Sequence, residues 1–369
     1  MNKAISFFAG AGGLDMGIHR AGFDIKLSVE LEKIYCETLR INHPNWNVKC
    51  GDIMLYNKDK VYKHANINKE EEIDLVFGGS PCQSFSTAGK RQAFSDPRGK
   101  AMLKFVELVT EIQPKAFLLE NVRGLLSAAL KHRPLNQRGK NYPPLSVEEQ
   151  PGSAINYLLS KVLNYDVKIQ LINAADYGVP QKRERVFIVG VRKDLGIDYN
   201  FPKTTHGNNE LGKEPWVPVS HILNDLKGID HKHANYSPSR LKYMKLIPKG
   251  GGNWRDLPEG VVKEAMGGAY NSGGGKVGFY RRIKYFEPCP TLLTYPAQKS
   301  TNLGHPFEDR PLSIQEYLAI QGFPLNYKVC GTMNHQYTQI GNAVPIQLAR
   351  ILGSSIIKQL RQNTLTCSY

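Results

Sequence analysis

The sequence predicts an α/β protein: a doubly wound, mostly parallel sheet with a second, smaller and irregular domain. Three observations carry this. Apolar runs alternate with helical patterns through the first half of the chain. After about residue 195 the composition shifts to Gly, Pro, His, Lys, Asn and Tyr, with weak periodicity. Regular helical patterning then resumes at Ser313–Gln321 and Val344–Leu360. At 369 residues the chain is long enough for a large core and two domains. Residues 1–194 with 306–369 read as one domain and 195–305 as the other.

The elements follow in order. Apolar runs at Ala4–Ala9, Ile25–Glu30, Asn47–Asp52, Ile73–Gly79 and Ala116–Val122 read as strands, and runs at Val167–Ala174 and Val186–Val191 continue the series. Between them Leu14, Ile18 and Ala21 share one helical face, and Met102, Phe105, Val106 and Val109 another. Residues 126–152 are basic and contain prolines, and read as an insertion loop. In sheets of this kind ligands bind beyond the carboxyl ends of the strands, and several polar residues fall there.

Composition narrows the function. Lys and Arg number 48 against 33 for Asp and Glu, a formal charge of +15, which points to a polyanionic partner. No run of 18 or more apolar residues occurs, so no membrane span is expected, and Met1–Ser6 enters a strand pattern without a signal peptide. The six cysteines are scattered and form no C-x-x-C pair, so neither a zinc site nor a disulfide framework is expected; a reducing, cytoplasmic setting fits.

Three features suggest a cofactor. Phe8-Ala9-Gly10-Ala11-Gly12-Gly13 lies between the first strand and its helix, where glycines let backbone approach a ligand. The spacing is not the G-x-G-x-x-G of dinucleotide enzymes, and Phe8 is placed to lie against an adenine ring. Glu30 ends the second strand pattern, where a carboxylate accepts from ribose hydroxyls. Asp52 ends the third, where it accepts from an adenine amino group. Each acid alone also reads as a helix cap or a solvated loop residue.

The stretch after the fourth strand, "GGSPCQSFSTAGKRQAFSDPRGK", holds one cysteine among residues poor at building a core. Pro81, Gln83, Ser84 and Ser86 flank Cys82, so a thiolate nucleophile outweighs an inert buried thiol there. Glu120 ends the next strand, where a carboxyl among apolar neighbours keeps its proton and acts as an acid; a helix N-terminal acid is the alternative. Arg183 and Arg185 alternate before a strand, so both point to one face, suited to a carboxylate, a base edge or a phosphate.

Taken in order, these residues resemble the DNA (cytosine-5) methyltransferases of bacterial restriction-modification type. The matches are Phe8–Gly13, Glu30, Gly51-Asp52-Ile53, Pro81-Cys82-Gln83, Glu120-Asn121-Val122, Gln181-Lys182-Arg183-Glu184-Arg185, Arg310-Pro311-Leu312-Ser313 through Gln321-Gly322-Phe323-Pro324, and Gln339 through Pro345. They span the chain except for 126–152 and most of 195–305. Two departures are Ser80, where many members carry another Pro or a Phe, and the long 126–152 insertion.

The resemblance implies the S-adenosylmethionine-dependent methyltransferase fold, with 195–305 as target-recognition domain. It implies S-adenosyl-L-methionine as cofactor, contacted by Phe8, Gly10, Ala11, Gly12, Gly13, Glu30, Leu31, Asp52, Ile53, Pro81, Asn342 and Ala343. Its substrate is a cytosine flipped out of duplex DNA. Cys82 adds to C6, Glu120 donates to N3, and Arg183 and Arg185 belong to the catalytic set, with Arg183 holding the base. DNA contacts are expected from the mobile basic loop (Gln83, Ser84, Ser86, Lys90, Arg91, Arg98) and from Thr291, which resembles part of an element that holds the flipped nucleotide. Arg255, Arg281 and Arg282 carry the fork that reads guanine, and Asn271 reads adenine, or the arginines touch only phosphates. A monomer in the bacterial cytoplasm, alongside a separately acting restriction endonuclease, completes the expectation. The competing readings are an RNA cytosine-5 methyltransferase, a catalytically inactive DNA-binding relative and, from the sheet alone, a nicotinamide-dependent oxidoreductase.

Overall fold

The alternation in the first half folds as successive βα units: β1 (Asn2–Phe7), α1 (Gly13–Arg20), β2 (Phe23–Glu30), α2 (Lys33–Asn42), β3 (Val48–Cys50), α3 (Lys58–Ala65), β4 (Leu75–Gly79), α4 (Pro97–Ile112) and β5 (Ala116–Asn121). Then come α5 (Ser153–Leu159), β6 (Tyr165–Asn173), β7 (Gln181–Lys182) and β8 (Glu184–Arg192). Seven strands form one sheet in the order β3-β2-β1-β4-β5-β8-β6. The pairings from β3 through β5 are parallel, and β8 runs antiparallel to β5. From β1 the chain steps outward to β2 and β3; from β4 it steps the other way to β5. That reversal puts the topological switch point between β1 and β4, where such sheets bind ligands.

Continuous apolar runs form these central strands because both faces are covered. Ala4, Ile5, Leu75, Val76 and Leu118 are fully buried, and Phe7, Phe105, Val109, Phe117 and Leu119 share one core. The α4 helix starts where Asp96 accepts a hydrogen bond from the Arg98 amide and Pro97 takes the first turn, a position that needs no amide donor.

The computed structural model describes residues 2–81, 94, 96–273 and 275–366, and the chain divides into two units. The first comprises Met1–Ile172, Glu184–Lys203 and Ala349–Tyr369; the second, Asn173–Arg183 and Thr204–Leu348. The second is therefore larger than the 195–305 segment read from composition. Residues 173–183 join it because β7 pairs with β11 (Cys289–Pro290), and residues past 305 join it because the Leu312 and Ile314 amides donate to the Leu303 and Lys232 carbonyls. It is also more regular than its glycines suggested. It contains β9 (His206–Gly207) paired with β10 (Glu214–Pro215), together with the helices α6 (Val219–Asp225), α7 (Pro238–Met244), α8 (Glu259–Met266), α9 (Ile314–Gln321) and α10 (Met333–Asn342). Its own core holds Tyr243, Met244, Ile247, Met266 and Tyr280.

The last helix, α11 (Ile346–Thr366), belongs from Ala349 onward to the first unit. A Cβ at Gly353 would lie 2.8 Å from Ala21 Cβ, so the helix rests closely beside the end of α1. Met333–Gln362 is long and apolar enough to cross a membrane by length and composition, but 67% of its most apolar window is buried in protein, as in a core helix. The 126–152 insertion lies in the first unit and is pinned by Arg133, whose Nε and Nη2 donate to the Glu149 carboxylate at 2.8 and 2.6 Å.

One buried acid ties the first units of the sheet together. Asp15 is fully buried in the first turn of α1. It accepts from Ser6 Oγ of β1 at 2.9 Å and from Ser28 Oγ of β2 at 2.7 Å. Burial pushes its carboxyl up to about 6, against the pull of the two serine hydroxyls. A carboxyl that holds its proton more tightly folded than unfolded contributes stability that is whole below its unfolded pKa near 4. That contribution is lost as pH rises through 6. Asp15→Asn, neutral throughout, should gain on the wild type by on the order of 3 kcal/mol between pH 4 and pH 7. Urea unfolding at both pH values measures this, and a difference that does not change with pH would contradict it.

Candidate active site

The carboxyl ends of β1, β2, β4 and β5 lie side by side. Phe7 pairs with Val29 and with Gly78, and Gly79 pairs with Glu120. The turn after β1 runs through the left-handed region, with φ of +58° at Phe8, +56° at Gly10 and +81° at Gly12. Glycine adopts this freely, but at Phe8 it costs about 1–2 kcal/mol, the kind of strain that collects at ligand sites. The Phe8 ring leans on Phe105, centroids 6.4 Å apart. Ala11 is buried, Gly12 stands before α1, and Gly13 opens the helix.

Glu30 closes the turn from the neighbouring strand. Its Oε2 accepts from the Gly10 amide at 2.8 Å and its Oε1 from the Glu32 amide at 2.9 Å. Burial raises its pKa despite those bonds. A carboxylate offers about four acceptor positions, so acceptor capacity remains for a ligand's hydroxyls. Leu31 beside it is exposed. Asp52 caps the short 3-10 turn Ile53–Leu55 by accepting from the Met54 amide at 2.9 Å, and Ile53 is buried. The glycine turn, the spare acceptor positions of Glu30 and the apolar Phe8 and Ile53 together fit an adenosine-containing cofactor.

The second half of the site is built around Glu120, the penultimate residue of β5, which is 7% exposed. A Cβ at Gly79 on the facing strand would lie 3.0 Å from Glu120 Oε2, so any side chain there would press the carboxylate out of place by a few tenths of an ångström. Arg185 on β8 forms an ion pair with Glu120, Nε lying 3.0 Å from Oε1, and donates from Nη1 to the Glu184 carbonyl at 2.8 Å. Asn121, matched in the sequence motif without a role of its own, is buried. Its Nδ2 donates to Ser80 Oγ at 2.9 Å and to the Ser80 carbonyl at 3.2 Å, while its Oδ1 accepts from the Val122 amide. This gives Ser80 a purpose: its hydroxyl helps fasten the strand end that leads through Pro81 to Cys82. Cys82, Gln83, Ser84, Ser86, Lys90 and Arg91 lie outside the described residues. Arg98 is exposed in the first turn of α4.

Several expectations change. Arg183 was read as holding the base, but it belongs to the second unit and is 1% exposed. Its Nη1 donates to the Leu292 and Gly341 carbonyls and its Nη2 to that of Asn342. It positions those segments, and Arg185 is the arginine at Glu120. Arg282 was read as a guanine fork. It is buried instead, donating to the carbonyls of Met244, Ile247, His305 and Glu308 and paired with Asp309. It is a structural strut, and a base edge has no access to it. Arg281 is half-buried, its Nε bound to the Asn302 carbonyl. Thr291 Oγ1 donates to the Lys182 carbonyl at 2.8 Å. Arg255, stacked 5.4 Å over Trp254, and Asn271 are exposed. Asn342 and Ala343 belong to the second unit at the end of α10.

The later motifs form a scaffold within that second unit. Gln181 donates to Gln321 at 3.1 Å and accepts from the Leu292 amide; Gln321 in turn donates to the Ile340 and Ala343 carbonyls. Gly341 is required there, since a Cβ would lie 2.3 Å from the Leu293 carbonyl oxygen.

Comparison with known proteins adds three findings. The family model for C-5 cytosine-specific DNA methylase matches residues 2–358. The Type II methyltransferase M.Sau96I of Staphylococcus aureus is 40% identical over 362 residues, covering 96% of this chain and 75% of that protein. M.PspPI of Psychrobacter sp. is 38% identical over 367 residues, covering 96% and 79%. Among solved structures, a putative DNA modification methyltransferase encoded within a prophage of E. coli superposes with a TM-score of 0.67 at 25% identity. It covers 98% of this chain and all of that one.

The Glu120–Arg185 pair makes a direct prediction. Replacing Arg185 by Ala and Glu120 by Gln should each destabilise the protein, and the double variant should cost less than the sum by about 0.5–3 kcal/mol. Urea midpoints for the four proteins measure it; additive losses would mean that the contact contributes nothing.

Proposed function

The chain belongs to the C-5 cytosine-specific DNA methylases and is a DNA cytosine-5 methyltransferase, and from that premise we propose how its residues act. It methylates C5 of a cytosine flipped out of a specific duplex sequence, through a covalent bond between Cys82 and C6 of the base. One observation carries the reading: the buried carboxylate of Glu120 faces the strand that leads to Cys82, and Arg185 fixes it.

Cytosine C5 is a poor nucleophile until addition at C6 makes the ring enamine-like. In the proposed step the Cys82 sulfur bonds to C6, and the proton that leaves its thiol passes by way of Glu120 to N3, which becomes basic as the ring loses aromaticity. The Arg185 guanidinium holds Glu120 in line for this transfer and, with its remaining donors, faces the base. S-adenosylmethionine, when bound, supplies the methyl group as an electrophile. Glu30 would accept from its ribose hydroxyls, Phe8 and Ile53 would flank the adenine, and Asp52 would accept from the adenine amino group. Removal of the C5 proton then allows Cys82 to be expelled. The relatives' designation as Type II methyltransferases supports the further proposal that this enzyme protects DNA against a separately acting restriction endonuclease; we further propose that it acts as a cytoplasmic monomer.

Duplex DNA with 5-fluorocytosine at the target should trap the enzyme covalently, because fluorine does not leave as a proton does. Cys82→Ser should abolish trapping and turnover yet bind cofactor. Trapping that survives in Cys82→Ala would overturn the assignment. In the same assay Arg185→Ala should slow trapping by about 10²-fold or more.

A further inference from the structure

The corner that holds Glu30 carries two thiols as well as a carboxylate. Cys36 sits in α2 and is fully buried; Cys50 ends β3 and is exposed. Strand pairing sets Cys50 opposite Glu30. The Cys36 thiol donates to the Glu30 carbonyl at 3.4 Å, and the Cys50 thiol to the Leu31 carbonyl at 3.5 Å. The two thiols thus lie against consecutive peptide carbonyls, and both are free. An accessible sulfur and a buried one rest on the carbonyls of Glu30, proposed to hold the cofactor's ribose, and of Leu31 beside it.

We propose that Cys36 and Cys50 are an oxidisable pair whose disulfide weakens the cofactor pocket. This rests on the reading of Glu30 as the ribose acceptor. The oxidant is a peroxide. The Cys50 thiolate attacks the peroxide O–O bond, giving a sulfenic acid and releasing water. The Cys36 sulfur then displaces the sulfenic oxygen, which leaves with a proton as a second water. The balance is two thiols and one hydrogen peroxide to one disulfide and two waters. Cys36 is shielded, and burial raises its thiol pKa, so the accessible Cys50 is oxidised first.

The consequence is geometric. A disulfide brings its sulfurs to about 2.0 Å, closer than any hydrogen bond. Neither sulfur then has a hydrogen to donate to its carbonyl, and closing the bond draws α2 and the end of β3 together. Glu32, which precedes the first residue of that helix, provides one of the two amides that orient the Glu30 carboxylate. Its displacement misaims the ribose acceptor.

The test uses the full chain carrying Cys82→Ala, so that oxidation of the proposed nucleophile does not confuse the result. S-adenosylhomocysteine is titrated calorimetrically against reduced, hydrogen peroxide-treated and dithiothreitol-restored protein, with peptide mapping by mass spectrometry. The expected result is a linked Cys36–Cys50 peptide lighter by two hydrogens. Affinity should fall by about tenfold or more, the scale of losing a hydrogen bond to a charged group, and dithiothreitol should restore it. Adding Cys50→Ser should make affinity insensitive to peroxide. Absence of the linked peptide, or its formation with affinity unchanged, overturns the proposal. Reduced protein that binds no S-adenosylhomocysteine gives a different signature: it sinks the pocket assignment itself, and the switch with it, whatever the peptide map shows.

Discussion

The close approach of β4 to β5 at Gly79 and Glu120 is the constraint on which the rest of the site depends. Parallel strands bring facing residues together, and a side chain at 79 would meet the Glu120 carboxylate at its first carbon. With glycine there, the Glu120 carboxylate stays buried, at 7% exposure. Buried in this way it needs a donor, and β8 supplies Arg185 at 3.0 Å. The next residue of β5, Asn121, then fastens Ser80, so one strand end positions both Glu120 and the residue that precedes Pro81 and the proposed nucleophile.

Three carboxylates close to strand ends show how the same element of the fold is put to different uses. Asp15 is met by two hydroxyls and serves to join β1, β2 and α1. Glu30 is met by two backbone amides, which hold it still while leaving it acceptor capacity. Glu120 is met by a guanidinium, a planar donor that fixes direction as well as charge. Partner chemistry, more than residue type, separates the structural acid from the one proposed to bind cofactor and the one proposed to move a proton.

Much of this was legible in the sequence. The glycine turn, Glu30, Asp52 and Glu120 stand out because strand patterns end at them, and strand ends are where α/β sheets bind ligands. The order of motifs pointed to the family. What was not legible has physical causes. Alternation places Arg183 and Arg185 two residues apart on one strand pattern, but it does not say that the chain passes from one unit to the other between Arg183 and Glu184. Arg282 looks like a DNA reader because an arginine fork beside glycines matches a base edge; the same fork matches converging carbonyls in an interior. Asn121 and Gln321 carry no chemistry of their own in sequence, and only the fold reveals what they fasten. The glycines of 195–305 suggested irregularity, yet the tyrosines and methionines between them build a core.

The central claim is that Glu120 works because Gly79 leaves it room. Single-turnover methyl transfer from tritiated S-adenosylmethionine to duplex DNA by Gly79→Ala, with cofactor affinity measured in parallel, tests this most directly. The expected rate is lower by about 10²-fold or more, the scale for displacing a reacting group by a fraction of an ångström, with cofactor affinity within about twofold of the wild type. A methyl-transfer rate equal to that of the wild type, in a protein that is folded and binds cofactor, would contradict it.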